Sequence, residues 1–311
     1  MSLHPLFVNS QYELRSGWKF LLYCVILVVL FVVTGVIVSL AAAFIDPAWL
    51  LASPTDARFL TLNAIVLFIR SMGAVLFMAW FVDRVPLRVF GITFHDRWLR
   101  DFGLGLAVAG GMVAVFLVAG VLLGVVEIGF STSAATLPAI VGTLMMLALA
   151  AFNEELVFRG YPFQILLKGI GPWPTIVLIS SIFAVVHLTN PGASILSTLN
   201  TAIAGVFLSL AYLKTRSIWF PYGVHFAWNM GTAVVLGVPV SGIDTASLLE
   251  TQLRGPEFIS GGIYGPENSI LGTFVFLAGS IVILRMRSAR VSPEVQAALV
   301  EHSSKVYIGK T

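Results

Sequence analysis

Three short clusters hold the residues able to do chemistry in a chain otherwise dominated by apolar side chains. They are Asn153-Glu154-Glu155-Leu156-Val157-Phe158-Arg159-Gly160, then Phe183-Ala184-Val185-Val186-His187, then His225-Phe226-Ala227-Trp228-Asn229. On a helix, Glu155 and Arg159 are i,i+4 and lie one turn apart on one face, close enough to form an ion pair. Glu154 points about 100° away and has no such partner in its own helix. His225 and Asn229 are also i,i+4 and project from one face. A carboxylate and an imidazole can together hold and deprotonate a water molecule. A second imidazole and a carboxamide can donate hydrogen bonds to a developing oxyanion. That combination suits hydrolysis of an acyl bond, with water as the attacking group. The chain has no G-x-S-x-G nucleophile turn and no H-E-x-x-H zinc helix. Its single cysteine, Cys24, lies in a distant apolar run with no histidine near it, which leaves no pair for an intrachain disulfide.

The elements that position these residues must be membrane helices. Of 311 residues, 58% are hydrophobic and only 11% charged, with a mean hydropathy of +0.95. A soluble domain carries about 25% charged residues. A span needs ~20 apolar residues, and eight spans are expected: Trp18–Ala43, Phe59–Val82, Phe102–Val126, Ala139–Gln164, Pro174–Leu188, Ile195–Leu213, Trp219–Val238 and Ile270–Leu284. The expected fold is an all-α polytopic membrane helix bundle. It forms a single transmembrane domain over 1–311, with a helical core at 18–284, an external loop at 239–269 and a cytoplasmic tail at 285–311. At 1.5 Å per residue, Glu154 lies ~22 Å from Ala139, His187 ~20 Å from Pro174 and His225 ~9 Å from Trp219. The three can meet inside the bilayer if the fourth helix continues toward Lys168. Ionisable residues at that depth cost a few kcal/mol each and are usually retained for function or for a specific pairing. The glycines of the third span (Gly103, Gly105, Gly110, Gly111, Gly120 and Gly124) are read as helix-packing positions.

Orientation follows from the loop cations. The N-terminus, the 83–101 loop, the 159–173 connection, the 214–216 turn and the tail hold fifteen Lys and Arg. The segments near 46–58, 127–138, 189–194 and 239–269 hold two, Arg58 and Arg254, and Arg70 lies inside a span. Both termini are therefore expected in the cytoplasm. The basic residues are scattered, so nucleic acid is not an expected partner. The 239–269 segment, with Asp244, Glu250, Glu257 and Glu267, reads as either a connector or a lid. Pro293–Glu301 in the tail reads as a weak helix.

Taken together, the clusters resemble the signature of the CAAX-processing type II endopeptidase family, also called the CPBP or Abi family of intramembrane proteases. Its pattern of E-E-x-x-x-R, F-x-x-x-H and H-x-x-x-N is matched in order by Glu154-Glu155…Arg159, Phe183…His187 and His225…Asn229. The resemblance covers residues 153–229. It implies that Glu154 and His187 activate water, that His225 and Asn229 form the oxyanion hole, and that Glu155 and Arg159 support the site. It also implies a peptide or protein substrate, lipid-modified in the prenylated CAAX case, met within membrane lipid. No cofactor or metal is expected. Zinc bound by Glu154, His187 and His225 ranks lower, because Asn is a poor zinc ligand and no cysteine is available. The alternatives are a proton- or ion-coupled transporter and a non-catalytic scaffold or bacteriocin-immunity protein of the same family.

Overall fold

The structure, a computed structural model, describes residues 6–9, 13–45, 57–129 and 136–308. Parts of the segments used for the charge count (1–5, 10–12, 46–56, 130–135 and 309–311) lie outside the described residues.

The chain runs through helices α1 (Ser16–Ile45), α2 (Ala57–Phe77), α3 (Trp98–Leu122), α4 (Leu137–Arg159), α5 (Tyr161–Ile170), α6 (Pro172–Val186), α7 (Ile195–Thr215), α8 (Trp219–Asn229), α9 (Glu257–Ser260), α10 (Ile270–Arg285) and α11 (Pro293–Ile308). The all-α polytopic bundle is borne out. Among the described residues, six stretches are long and apolar enough to cross a bilayer: Ser16–Phe44, Thr61–Asp83, Trp98–Leu122, Leu137–Ile170, Pro172–Thr189 and Ile195–Thr215. Ile270–Arg285 is a shorter apolar helix. The expected seventh span is α-helical only to Asn229 and continues as a π-helical turn, Met230–Leu236. Most of α8 is buried by protein, including Trp219, Phe220, Gly223, Val224, Ala227 and Trp228. Such a helix does not need the full lipid-facing length of a free span.

Two of the expected helices are also interrupted. The fourth breaks at Gly160, whose backbone leaves the helical region (φ −71°, ψ −121°). A Cβ there would sit 2.4 Å from the Leu156 carbonyl oxygen, and Pro162 follows within the first turn of α5. The chain therefore does not run as one helix toward Lys168. The third helix stops at Leu122, and Gly124 turns with φ +70°. Val126–Glu127 then leaves the helix altogether and pairs antiparallel with Gln252–Leu253.

Close helix approach depends on only some of the expected glycines. A Cβ on Gly105 would meet Phe220 O at 2.6 Å, and one on Gly223 of α8 would meet Phe102 O at 2.3 Å. Backbone against backbone at this crossing locks α3 onto α8, as small residues do in membrane bundles. Gly120 packs against Val126, whereas a Cβ on Gly103, Gly110 or Gly111 would meet nothing within 4 Å among the described residues. The start of α8 is held by the 91–93 turn: Ile218 N–H donates to Gly91 O at 3.0 Å, and the Trp219 indole donates to Thr93 O at 2.9 Å. A second anchor joins Lys19 of α1 to Asp83, which also accepts from the Tyr161 hydroxyl at 2.6 Å. This cluster pins α1, the π-helical continuation of α2 (Met78–Asp83) and the start of α5 together.

Candidate active site

The last turns of α4 carry Glu154, Glu155 and Arg159. His187 follows directly on α6, at the head of a 3-10 turn that Asn190 ends. His225 and Asn229 project from α8. The packing of α4, α6, α7 and α8 brings these residues together.

Glu155 and Arg159 form the deep layer, with both side chains fully buried. Arg159 Nη1 donates to Glu155 Oε1 at 3.2 Å, and Nη2 donates to Gly205 O at 3.1 Å. The same Glu155 oxygen lies 2.8 Å from His225 Nδ1. The guanidinium stacks 4.7 Å from the Phe183 ring, which in turn lies 4.5 Å from the His187 imidazole, centroid to centroid. Phe183 is thus the apolar wedge between the ion pair and His187.

Above this layer sits Glu154. Its Oε2 lies 3.7 Å from His187 Nε2 and 3.7 Å from His225 Nε2. Those separations exceed a direct hydrogen bond and suit an intervening water. Glu154 Oε2 is itself buried, with no hydrogen-bond partner among the described residues. His187 Nδ1 lies 2.6 Å from Phe183 O, a contact that requires a proton on Nδ1. In the neutral ring this leaves the Nε2 lone pair facing Glu154. A cavity of about 50 Å³ adjoins the cluster, lined among others by His187, His225, Trp228, Asn229, Ser241 and Glu267. One water needs ~10–15 Å³ of such space, so the cavity is large enough for water beside the two imidazoles.

Sequence reasoning placed Asn153 in the first cluster, and it is buried with its Oδ1 unpartnered among the described residues. It missed the role of Glu267, read there only as one of four outer-segment acids. Glu267 is 7% exposed and lines the cavity. Its Oε1 accepts from the Trp228 indole at 3.0 Å and its Oε2 from Ser241 N–H at 2.7 Å. The 239–269 segment is therefore part of the wall of the site.

Residues 135–231 match the family model described as type II CAAX prenyl endopeptidase Rce1-like. That region holds every residue of the three motifs, and the resemblance read from them is shown. No curated protein and no solved structure matches the chain. Fold and site define a multi-pass helical membrane protein. Its residues 135–231 are similar to the type II CAAX prenyl endopeptidase family, a likeness that covers under half of the chain.

Proposed function

We propose that the protein is an intramembrane endopeptidase that hydrolyses a peptide bond with a water held by Glu154 and His187. The observation that carries this reading is the position of Glu154 Oε2, unpartnered and 3.7 Å from two imidazole nitrogens. With a neutral His187 ring and a doubly protonated His225 ring, two acceptors, Glu154 Oε2 and His187 Nε2, and one donor, His225 Nε2, converge on one point. A water there supplies two donors and presents an oxygen lone pair to a substrate carbonyl. As the water oxygen attacks the carbonyl carbon, its proton passes to Glu154 or His187. The carbonyl electrons move onto oxygen, and that oxyanion is stabilised by His225 Nε2 and the Asn229 carboxamide, both from residues that line the cavity. Donation by His225 from Nε2 while Nδ1 bonds Glu155 requires the doubly protonated ring, with Glu155 as its counterion. Collapse of the intermediate breaks the C–N bond, and the proton returns to the leaving amine.

The substrate is a peptide or protein, and the family match favours one with a prenylated C-terminal CAAX sequence. The metal-free reading is preferred because Asn229 belongs to the set and is a poor zinc ligand. The cation asymmetry favours cytoplasmic termini, with the 239–269 segment and the Glu267 side of the cavity outside. The test is mass spectrometry of a farnesylated CAAX peptide incubated with the protein in lipid vesicles. Release of the C-terminal tripeptide supports the reading. An intact farnesylated peptide overturns the CAAX assignment. If unprenylated membrane peptides also stay intact, the endopeptidase reading falls with it.

A further inference from the structure

Glu267 stands apart from the machinery described above. It comes from the outer segment, outside the 135–231 family match, yet it lines the same cavity as His187, His225 and Asn229. Its backbone is fixed from α7, where Asn200 Nδ2 donates to Glu267 O at 2.9 Å and to Ser269 O at 2.8 Å. Its two carboxylate oxygens are divided between one donor on α8, the Trp228 indole, and one on the outer segment, Ser241 N–H. Trp228 is 4% exposed, packs 4.9 Å from the Phe276 ring and directly precedes Asn229. Burial pushes the Glu267 carboxyl above the ordinary carboxylate range; its two hydrogen bonds and the nearby imidazoles of His187 and His225 offset only part of that. A buried acid is costly compared with an apolar side chain of similar volume, so its retention here calls for a task.

We propose that Glu267 is a positioning residue for the hydrolytic site. Through Trp228 it fixes the turn of α8 that carries His225 and Asn229, and so makes closure of the outer segment a condition of a working oxyanion hole. The proposal rests on the hydrolytic reading above. Glu267→Gln keeps one acceptor but turns an NH₂ toward the other donor, so the clamp loses one of its two arms while the side-chain volume is kept.

The experiment uses the full chain labelled with 5-fluorotryptophan in lipid nanodiscs, with Trp228→Phe identifying the Trp228 fluorine resonance. Kinetics are read in parallel on an internally quenched farnesylated CAAX peptide. Glu267→Gln is expected to shift the Trp228 resonance and to lower kcat about tenfold, since small misplacements of catalytic groups cost rate. KM should stay near the parent value, because the groups concerned act mainly in the transition state. Trp228→Phe should lower kcat similarly, and the double variant no further, as expected for two ends of one contact. An unmoved Trp228 resonance, a parent-like kcat or additive losses would overturn the proposal. Failure of the hydrolytic reading looks different: Glu154→Gln would match the parent, or the parent would leave the peptide intact. The clamp then stands or falls on the Trp228 resonance alone.

Discussion

His225 Nδ1 lies 2.8 Å from Glu155 Oε1, the same oxygen that Arg159 reaches at 3.2 Å. Glu155 is therefore the middle member of a chain that runs from Arg159 to the imidazole at the cavity wall. Such a partner on one ring nitrogen fixes the tautomer and orientation of the other.

Glu155→Gln should consequently do two kinds of damage. The fully buried Arg159 loses its counterion, and breaking a buried pair in this way costs roughly 3–5 kcal/mol. The His225 ring also loses the acceptor that orients it, so activity should fall in the fraction that remains folded. Thermal unfolding of the detergent-solubilised variant beside its kcat checks both. A variant as stable as the parent would show that the chain is not a stabilising element.

Asn229→Ala should lower kcat by ~10²–10³-fold, the usual effect of deleting one oxyanion-hole donor, while substrate binding changes little. The parent should keep its activity in the presence of strong chelators. Steady-state kinetics with and without chelator separate this from a zinc shell of Glu154, His187 and His225. Chelator-sensitive activity restored by Zn²⁺, with a nearly normal Asn229→Ala enzyme, would favour the metalloprotease reading instead.

A pH effect is expected away from the site, at His95. Burial holds the His95 imidazole below its ordinary range, against the opposing pull of Asp96 and Glu294. Its neutral form fits the surroundings: Nδ1 accepts from Arg97 N–H at 3.2 Å, which leaves the Nε2 proton for Ser217 Oγ at 3.0 Å, with Asp101 at 3.6 Å. A group that titrates lower in the folded state contributes stability that is complete above its unfolded range. That contribution is lost as pH falls through the range toward the folded value. Relative to His95→Gln, the parent should therefore lose additional melting temperature as pH falls below about 6.5, the ordinary imidazole range. Parallel curves for the two proteins would show that His95 protonation plays no part.

How much of this was legible in the sequence depended on how local each feature was. The Glu155–Arg159 contact is one helical turn and follows from spacing. The Glu155–His225 bond joins residues seventy positions apart and depends on how α4 packs against α8, which no local pattern encodes. Hydropathy located the apolar stretches, but it is blind to a break such as Gly160 and to the π-helical turn after Asn229, because both keep an apolar composition. Glycine count overstated helix packing for the same reason: Gly105 meets a neighbour and Gly110 meets none, and the difference lies in which face each occupies. Glu267 looked like Asp244, Glu250 and Glu257, one more acid in an outer segment. A local signal was nevertheless present, since it precedes Asn268-Ser269, and Ser269 caps α10 by accepting from Gly272 N–H at 2.9 Å. An acid two residues before a helix cap has its backbone tied to neighbouring structure, here by Asn200 Nδ2 donating to Glu267 O, unlike one in the middle of a connector.

The central claim is that Glu154 is the base acting on the water between the two imidazoles. Cleavage of the farnesylated CAAX peptide by Glu154→Gln, measured beside the parent in the same vesicles and with thermal unfolding recorded for both, tests it most directly. Glu154 Oε2 has no hydrogen-bond partner to lose among the described residues, so the variant should unfold at a temperature close to that of the parent and release no detectable tripeptide. A folded Glu154→Gln protein that cleaves at the parent rate would contradict the account.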